Sequence, residues 1–178
     1  MAIKPITQVP NPLLTTPCAK VGKVDDEARQ IVTNLLDTLL AAKNPEGAGL
    51  AAPQIGILKR VCIVREFFPD PADPNPNTSL SKEHVLINPK IITASNTTEI
   101  HWEGCLSIPD TYGRVERAAK IKVMAQNDAG ERITLRAGGF FAAVIQHEID
   151  HLDGVLFTSK TIGKTMTERE LDEVFVSA

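Results

Sequence analysis

The chain holds little cysteine, only Cys18, Cys62 and Cys105 in 178 residues. Three thiols cannot all pair, and a chain of this length with 43 % hydrophobic residues buries a core without covalent staples, which excludes a small disulfide scaffold. At least one thiol is left for other work. No apolar run approaches the roughly 18 residues that span a bilayer, and the N-terminus lacks the charged-then-apolar build of a signal peptide. No Arg- and Ser-rich leader precedes Pro5 either, so the expected location is the cytoplasm, with no membrane contact. Charge of neither sign dominates: 19 Lys+Arg stand against 22 Asp+Glu, a net of −3, and no window clusters basic residues. A nucleic-acid partner is therefore not expected. Without internal repeats, one catalytic domain over residues 1–178 is the expected organisation.

What is present alternates in character along the chain. Residues 1–24, with Val9-Pro10-Asn11-Pro12-Leu13, read as an extended arm on the surface, because proline cannot donate ladder hydrogen bonds. From Asp25, a plausible N-cap, the apolar spacing turns helical: Ala28, Ile31, Leu35, Leu39 and Ala42 share one stripe, and Pro45 stops the helix. Short β-branched runs follow at Val61–Val64, Val85–Thr93, Val115–Ala118, Ile121–Met124 and Ile133–Leu135, with Asn127-Asp128-Ala129-Gly130 as a hairpin turn. Residues 67–84 form a Pro-rich loop whose core, Phe67 to Leu80, carries Pro69, Pro71, Pro74 and Pro76. A second, strongly apolar helix should start after Gly138-Gly139 and close at Asp153-Gly154. Residues 160–178 are a C-terminal tail, with a short exposed helix over Thr167–Val176. The expected fold is α+β, with antiparallel β-sheets packed around a central helix.

That central helix carries Gln146-His147-Glu148-Ile149-Asp150-His151. Histidines at i and i+4 lie one turn apart on the same face, so both imidazoles reach one cation while Glu148 projects beside it. Two imidazoles and a carboxylate buried without a cation in so apolar a helix would cost several kcal/mol, on the order of the stability of a whole domain. A metal-dependent hydrolase is the reading that follows. A catalytic site needs a third protein ligand and an open position for water. The residues offer three: Cys105 in Trp102-Glu103-Gly104-Cys105-Leu106-Ser107, where Gly104 would let the backbone approach the metal, Glu170 in the tail, and His101. Chemistry alone puts Cys105 only modestly ahead, and a zinc endopeptidase using Glu170 stays open as the alternative.

Three stretches together resemble the peptide deformylase family. Gly47-Ala48-Gly49-Leu50-Ala51-Ala52-Pro53-Gln54 is similar to its G-x-G-L-A-A-x-Q motif, Glu103 to Ser107 to E-G-C-L-S, and Gln146 to Gly154 to Q-H-E-x-D-H-L-x-G. The resemblance runs from about residue 9 to residue 157. It implies removal of the formyl group from N-formylmethionyl nascent peptides, with release of formate. It implies Cys105, His147 and His151 as metal ligands and Glu148 as general acid/base. It implies that the Gln54 side-chain amide and the Leu106 N–H hold the oxyanion, each donor worth roughly 3 to 4 kcal/mol. Gly49 would pair its backbone with the substrate as an added strand. Phe140, Ala143 and Val144, one and two turns before His147, would form the methionine pocket. The implied cofactor is one divalent ion, Fe2+ foremost, replaceable by Zn2+, Ni2+ or Co2+.

Two departures bear on partners. Where many members carry an arginine seven residues after the cysteine, this chain has Tyr112, with Arg114 beyond. Arg117 falls where the family has an arginine, and Glu46 is its expected ion-pair partner. From Lys160 onward the tail sets Lys160, Lys164 and Arg169 against Glu168, Glu170, Asp172 and Glu173, a net of −1, which argues against docking on the ribosome.

Overall fold

The computed structural model describes residues 3–43, 46–73, 75 and 79–176. Pro45, Pro74 and Pro76, assigned above to a helix stop and a loop, lie outside the described residues.

The observed fold is α+β, as the sequence implies. Helix α1 runs Asp26–Ala41; the Asp25 side chain accepts the Ala28 N–H, and Asp26 and Glu27 occupy the positive first turn. Seven strands follow: β1 Gly49–Ala51, β2 Val61–Pro69, β3 Ser79–Ala94, β4 Thr98–Cys105, β5 Ile108–Ala118, β6 Lys120–Gln126 and β7 Arg132–Gly138. Helices α2, Gly139–Leu152, and α3, Glu168–Val176, complete the chain. Five strands make one antiparallel sheet in the order β1-β2-β3-β6-β7, and β4 pairs with β5 in a separate two-stranded ribbon.

The period of a strand explains the layering. Successive side chains of β2 point to opposite faces, so Val61 and Ile63 join Ile31, Leu35 and Leu39 of α1, while Cys62 and Val64 join Ala142, Ile145 and Leu152 of α2. Both faces of β2 are covered over its first four residues, which is why Val61–Val64 is a continuous apolar run rather than an alternating one. Cys18 and Cys62 are buried thiols on the α2 side, and all three cysteines are free. The Asn127–Gly130 turn joins β6 to β7, with Gly130 at φ 83° and the Asn127 side chain accepting the Glu131 N–H.

Three expectations need correction. The hairpin β2–β3 extends further than the proline content suggested, pairing Phe67 with Ser81 and Pro69 with Ser79; Pro69 occupies the last ladder position, where a missing N–H does least harm. The arm is no mere surface strap: Pro12–Thr15 is a 3-10 turn that buries Leu14 completely. The helical spacing puts Phe140, Val144, His147 and His151 on one stripe expected in the core, but Phe140 stands in the first turn of α2 and is 53 % exposed, so the core-facing stripe begins only after it.

Helix α2 starts after Gly138 and ends with Gly154 in the left-handed conformation at φ 74°. Its rotation is fixed by Gln146, whose amide donates to the Ala118 carbonyl at 3.0 Å and accepts the Ala118 N–H at 3.1 Å, in place of a strand neighbour. That clasp turns the next residues toward the β4–β5 ribbon. Among the described residues no helix is long and apolar enough to cross a membrane.

Candidate metal centre and active site

Cys105 closes β4 where the ladder slips register, so its side chain leaves the ribbon and meets α2. The sulfur lies 3.2 Å from His151 Nε2, and the ligand atoms of Cys105, His147 and His151 all fall within 4.8 Å of one another. Among the described residues this is the one group of three such side chains close enough to share an ion. His147 Nδ1 is engaged by Glu103 Oε2 at 2.9 Å, which leaves its Nε2 for a ligand bond. Burial, reinforced by positive charge on His147, holds the His151 imidazole well below its usual pKa, so its lone pair is available. Burial lowers the His147 pKa too, but contacts with Cys105, Glu103 and Glu148 outweigh it and raise the value to about 10. The same negative surroundings suit a cation.

Glu148 projects beside this group and is 3 % exposed, with no hydrogen-bond partner among the described residues for its buried Oε2. An unpartnered buried carboxylate oxygen is costly unless a ligand or proton meets it. Burial, opposed in part by His147, pushes the Glu148 pKa up to about 7, a range suited to both taking and giving a proton. Gly49 is what makes room: a Cβ there would sit 2.5 Å from Glu148 Oε1.

Gln54 is fully buried in the 3-10 turn after β1. Its Oε1 accepts the Ala51 N–H at 2.8 Å, and its Nε2 reaches Ser107 Oγ at 3.2 Å and Cys105 Sγ at 3.5 Å. These elements enclose a cleft of about 510 Å³ lined by Gly49, Gln54, Cys105, Leu106, His147 and Glu148, with Phe140, Ala143 and Val144 along one wall. Every site residue inferred from the sequence therefore borders the cleft or, like His151, lies directly behind it. His101 borders the cleft, but its Nε2 pairs with Glu99 at 3.4 Å. Glu170 is fully exposed and accepts from Thr167, capping α3. Neither joins the ligand group.

The sequence reading missed the scaffold behind the ligands. Arg117, 4 % exposed, makes a two-pronged bond to Glu103, at 2.7 and 2.9 Å, and a further ion pair with Asp150, which also accepts from Lys160 at 2.6 Å. The expected partner Glu46 is instead held by Arg65 at 2.6 Å. Burial alone would raise Glu103, but hydrogen bonds from Arg117 and His147 outweigh it and hold its pKa at about 2. The only sequence signal for this role was the position of Glu103, two residues before Cys105 in the same strand. Gly104 also serves otherwise than expected: a Cβ there would meet the Tyr112 ring at 2.7 Å, so the missing side chain admits that ring.

The family model described as polypeptide deformylase matches residues 3–166. Peptide deformylase of Phenylobacterium zucineum is 44 % identical over 88 % of this chain and 86 % of its own length. Peptide deformylase 1 of Bacillus subtilis is 42 % identical over 98 % of this chain and 99 % of its own. Among solved structures, the Met-Ala-Ser-bound class I type b peptide deformylase of Acinetobacter baumannii superposes with a TM-score of 0.77 at 34 % identity, covering 89 % of this chain and 98 % of that one. The peptide deformylase of Synechococcus elongatus in complex with actinonin superposes with a TM-score of 0.75 at 36 % identity, covering 98 % of this chain and 86 % of that one.

Proposed function

The chain belongs to the polypeptide deformylase family, a metal-dependent amide hydrolase that removes the N-formyl group from N-terminal formylmethionine, and from that premise we propose which residues do the work. Cys105, His147 and His151 hold the ion, and the whole of residues 1–178 acts as one catalytic domain. The observation that carries the assignment is the convergence of those three donors beside the unpartnered Glu148 oxygen. One thiolate and two imidazoles suit a first-row transition metal, and three ligands leave a position open.

Bound there, the ion supplies Lewis acidity, polarising the formyl carbonyl and acidifying water. The protein does the rest. Glu148 takes a proton from the attacking water and delivers it to the departing amine, one carboxylate serving in both directions. Gln54 Nε2 and the Leu106 N–H donate to the oxygen on which charge develops. Gly49 offers its backbone to the peptide, and Phe140, Ala143 and Val144 receive the methionine side chain. Glu103 fixes the ring of His147, and Arg117 fixes Glu103. The products are formate and a free N-terminus.

The ion is Fe2+, replaceable by Zn2+, Ni2+ or Co2+; a thiolate beside ferrous iron predicts activity that decays in air and persists in the zinc form. The enzyme works in the cytoplasm on nascent formylmethionyl peptides without nucleic-acid contact, and a tail of net −1 gives it no electrostatic grip on the ribosome.

Formate release from a formyl-Met-Ala-Ser peptide, measured without oxygen on wild type and Glu148→Ala, tests the assignment. We expect the variant to keep its metal and lose turnover. Full activity in Glu148→Ala refutes it.

A further inference from the structure

Ser107 is completely buried, yet it has no place in the chemistry so far. Its Oγ lies 3.2 Å from Gln54 Nε2, in position to accept a hydrogen bond. The amide of Gln54 thus has its two ends fixed by different partners, Oε1 by the Ala51 N–H and Nε2 by the Ser107 hydroxyl and the Cys105 sulfur. A side-chain amide rotated by half a turn would set Nε2 against the Ala51 N–H, donor to donor, and Oε1 against the sulfur, acceptor to acceptor.

The main chain holds this pair in place. Thr7 N–H donates to the Gln54 carbonyl at 2.7 Å, and Val9 N–H donates to the Ser107 carbonyl at 3.0 Å. The 3-10 turn bearing Gln54 and the turn bearing Ser107 are therefore fastened to the same short arm. The backbones that carry Nε2 and Oγ are thereby held at a fixed separation.

We propose that Ser107 is a positioning residue for the Gln54 amide: its buried hydroxyl oxygen takes one Nε2 hydrogen and leaves the other, which reaches Cys105 Sγ at 3.5 Å, to turn to the formyl oxygen as it gains charge. This rests on the reading of Gln54 as an oxyanion donor. A donor must stand at the place the oxyanion will occupy, not merely nearby, so a loosened amide loses rate rather than binding. Ser107→Ala removes the hydroxyl and leaves the Ser107 backbone N–H, which lies 3.4 Å from Cys105 Sγ, as it was.

The test is a double-mutant cycle on kcat and KM for formyl-Met-Ala-Ser with wild type, Ser107→Ala, Gln54→Ala and the double variant, all zinc-loaded with metal content measured. We expect Ser107→Ala to lower kcat about tenfold with KM within twofold, and to cost nothing further in the Gln54→Ala background. Ser107→Thr, which keeps the oxygen, should retain a larger kcat than Ser107→Ala. Side-chain amide exchange at Gln54, followed by NMR, should speed up in Ser107→Ala. An equal loss in the Gln54→Ala background, or an unchanged kcat and exchange rate in Ser107→Ala, overturns the proposal. Full kcat in Gln54→Ala overturns the oxyanion reading, and the proposal with it.

Discussion

Replacing Gly49 by alanine adds one methyl group, and the structure says where it goes. The new Cβ would lie 2.5 Å from Glu148 Oε1 and 2.8 Å from both Cδ and Cγ, against the 3.4 Å at which ordinary van der Waals contact begins. Something must therefore move by about 0.9 Å. Strand β1 is paired to β2 along its length, Gly49 with Val64 and Ala51 with Cys62, and Leu50 is completely buried, so the backbone is the stiffer side. The Glu148 carboxylate, with no hydrogen bond on Oε2 to restrain it, is the side that yields. A catalytic group misplaced by about 1 Å costs on the order of a hundredfold in rate. Correct positioning of a general acid/base is worth roughly 10² to 10⁴, which sets the floor near that of Glu148→Ala. The three atoms nearest the new methyl all belong to Glu148 and none to Cys105, His147 or His151, so the metal should stay. The assay is formate release under anaerobic conditions with metal content measured on the same sample. Gly49→Ala with kcat within threefold of wild type and a full complement of metal would show that Glu148 does not act from the position the cleft gives it.

Other outcomes follow from the scaffold. Cys105→Ala should lose its metal while Glu170→Ala keeps it, as elemental analysis of the purified proteins will show; the reverse would restore the endopeptidase alternative. Arg117→Met strips the buried Glu103 of its two-pronged partner and leaves the half-buried Asp150 with Lys160 alone, and should lower unfolding stability in urea by about 3 kcal/mol. Hydrogen bonds from Arg117 and His147 hold the folded Glu103 at about 2, below its ordinary 4.5, so its contribution is present above 4.5 and lost as pH falls toward 2. Wild type should accordingly lose up to about 3 kcal/mol across that window relative to Glu103→Gln, read from urea midpoints at successive pH values.

Much of this was legible because it depends on local spacing. The i, i+4 histidines, the Asp25 cap, the Gly154 stop and the 127–130 turn are short-range patterns, and each appears in the structure as read. Strands β1 and β4 were not read. β1 is three residues long, and β4 shows Thr98, Glu99 and Ile100 to solvent, so neither carries the alternation that marks a half-buried strand. The partners of Arg117 were misread for a different reason. Three carboxylates, Glu46, Glu103 and Asp150, were available along the chain, and only the packing of α2 on the ribbon decides which two an arginine on β5 can reach. Ser107 stood in the sequence only as the last position of E-G-C-L-S, with no role attached, since a buried hydroxyl in a turn looks like any other until the amide it holds is known.

The arm that fastens Gln54 and Ser107 also bears on when the enzyme becomes competent during its own synthesis. Its hydrogen bonds reach partners far down the chain, Gln54 and Ser107 stand 53 residues apart, and Cys105 meets His151 across 46. Contacts of such span close late, because loop entropy must be overcome before they reward the chain. The arm thus waits for the last turn of α2, and no nascent chain that stops short of His151 holds all three donors. Metal capture becomes a signature of a finished molecule, and the ion, binding only that form, draws the folding equilibrium after it.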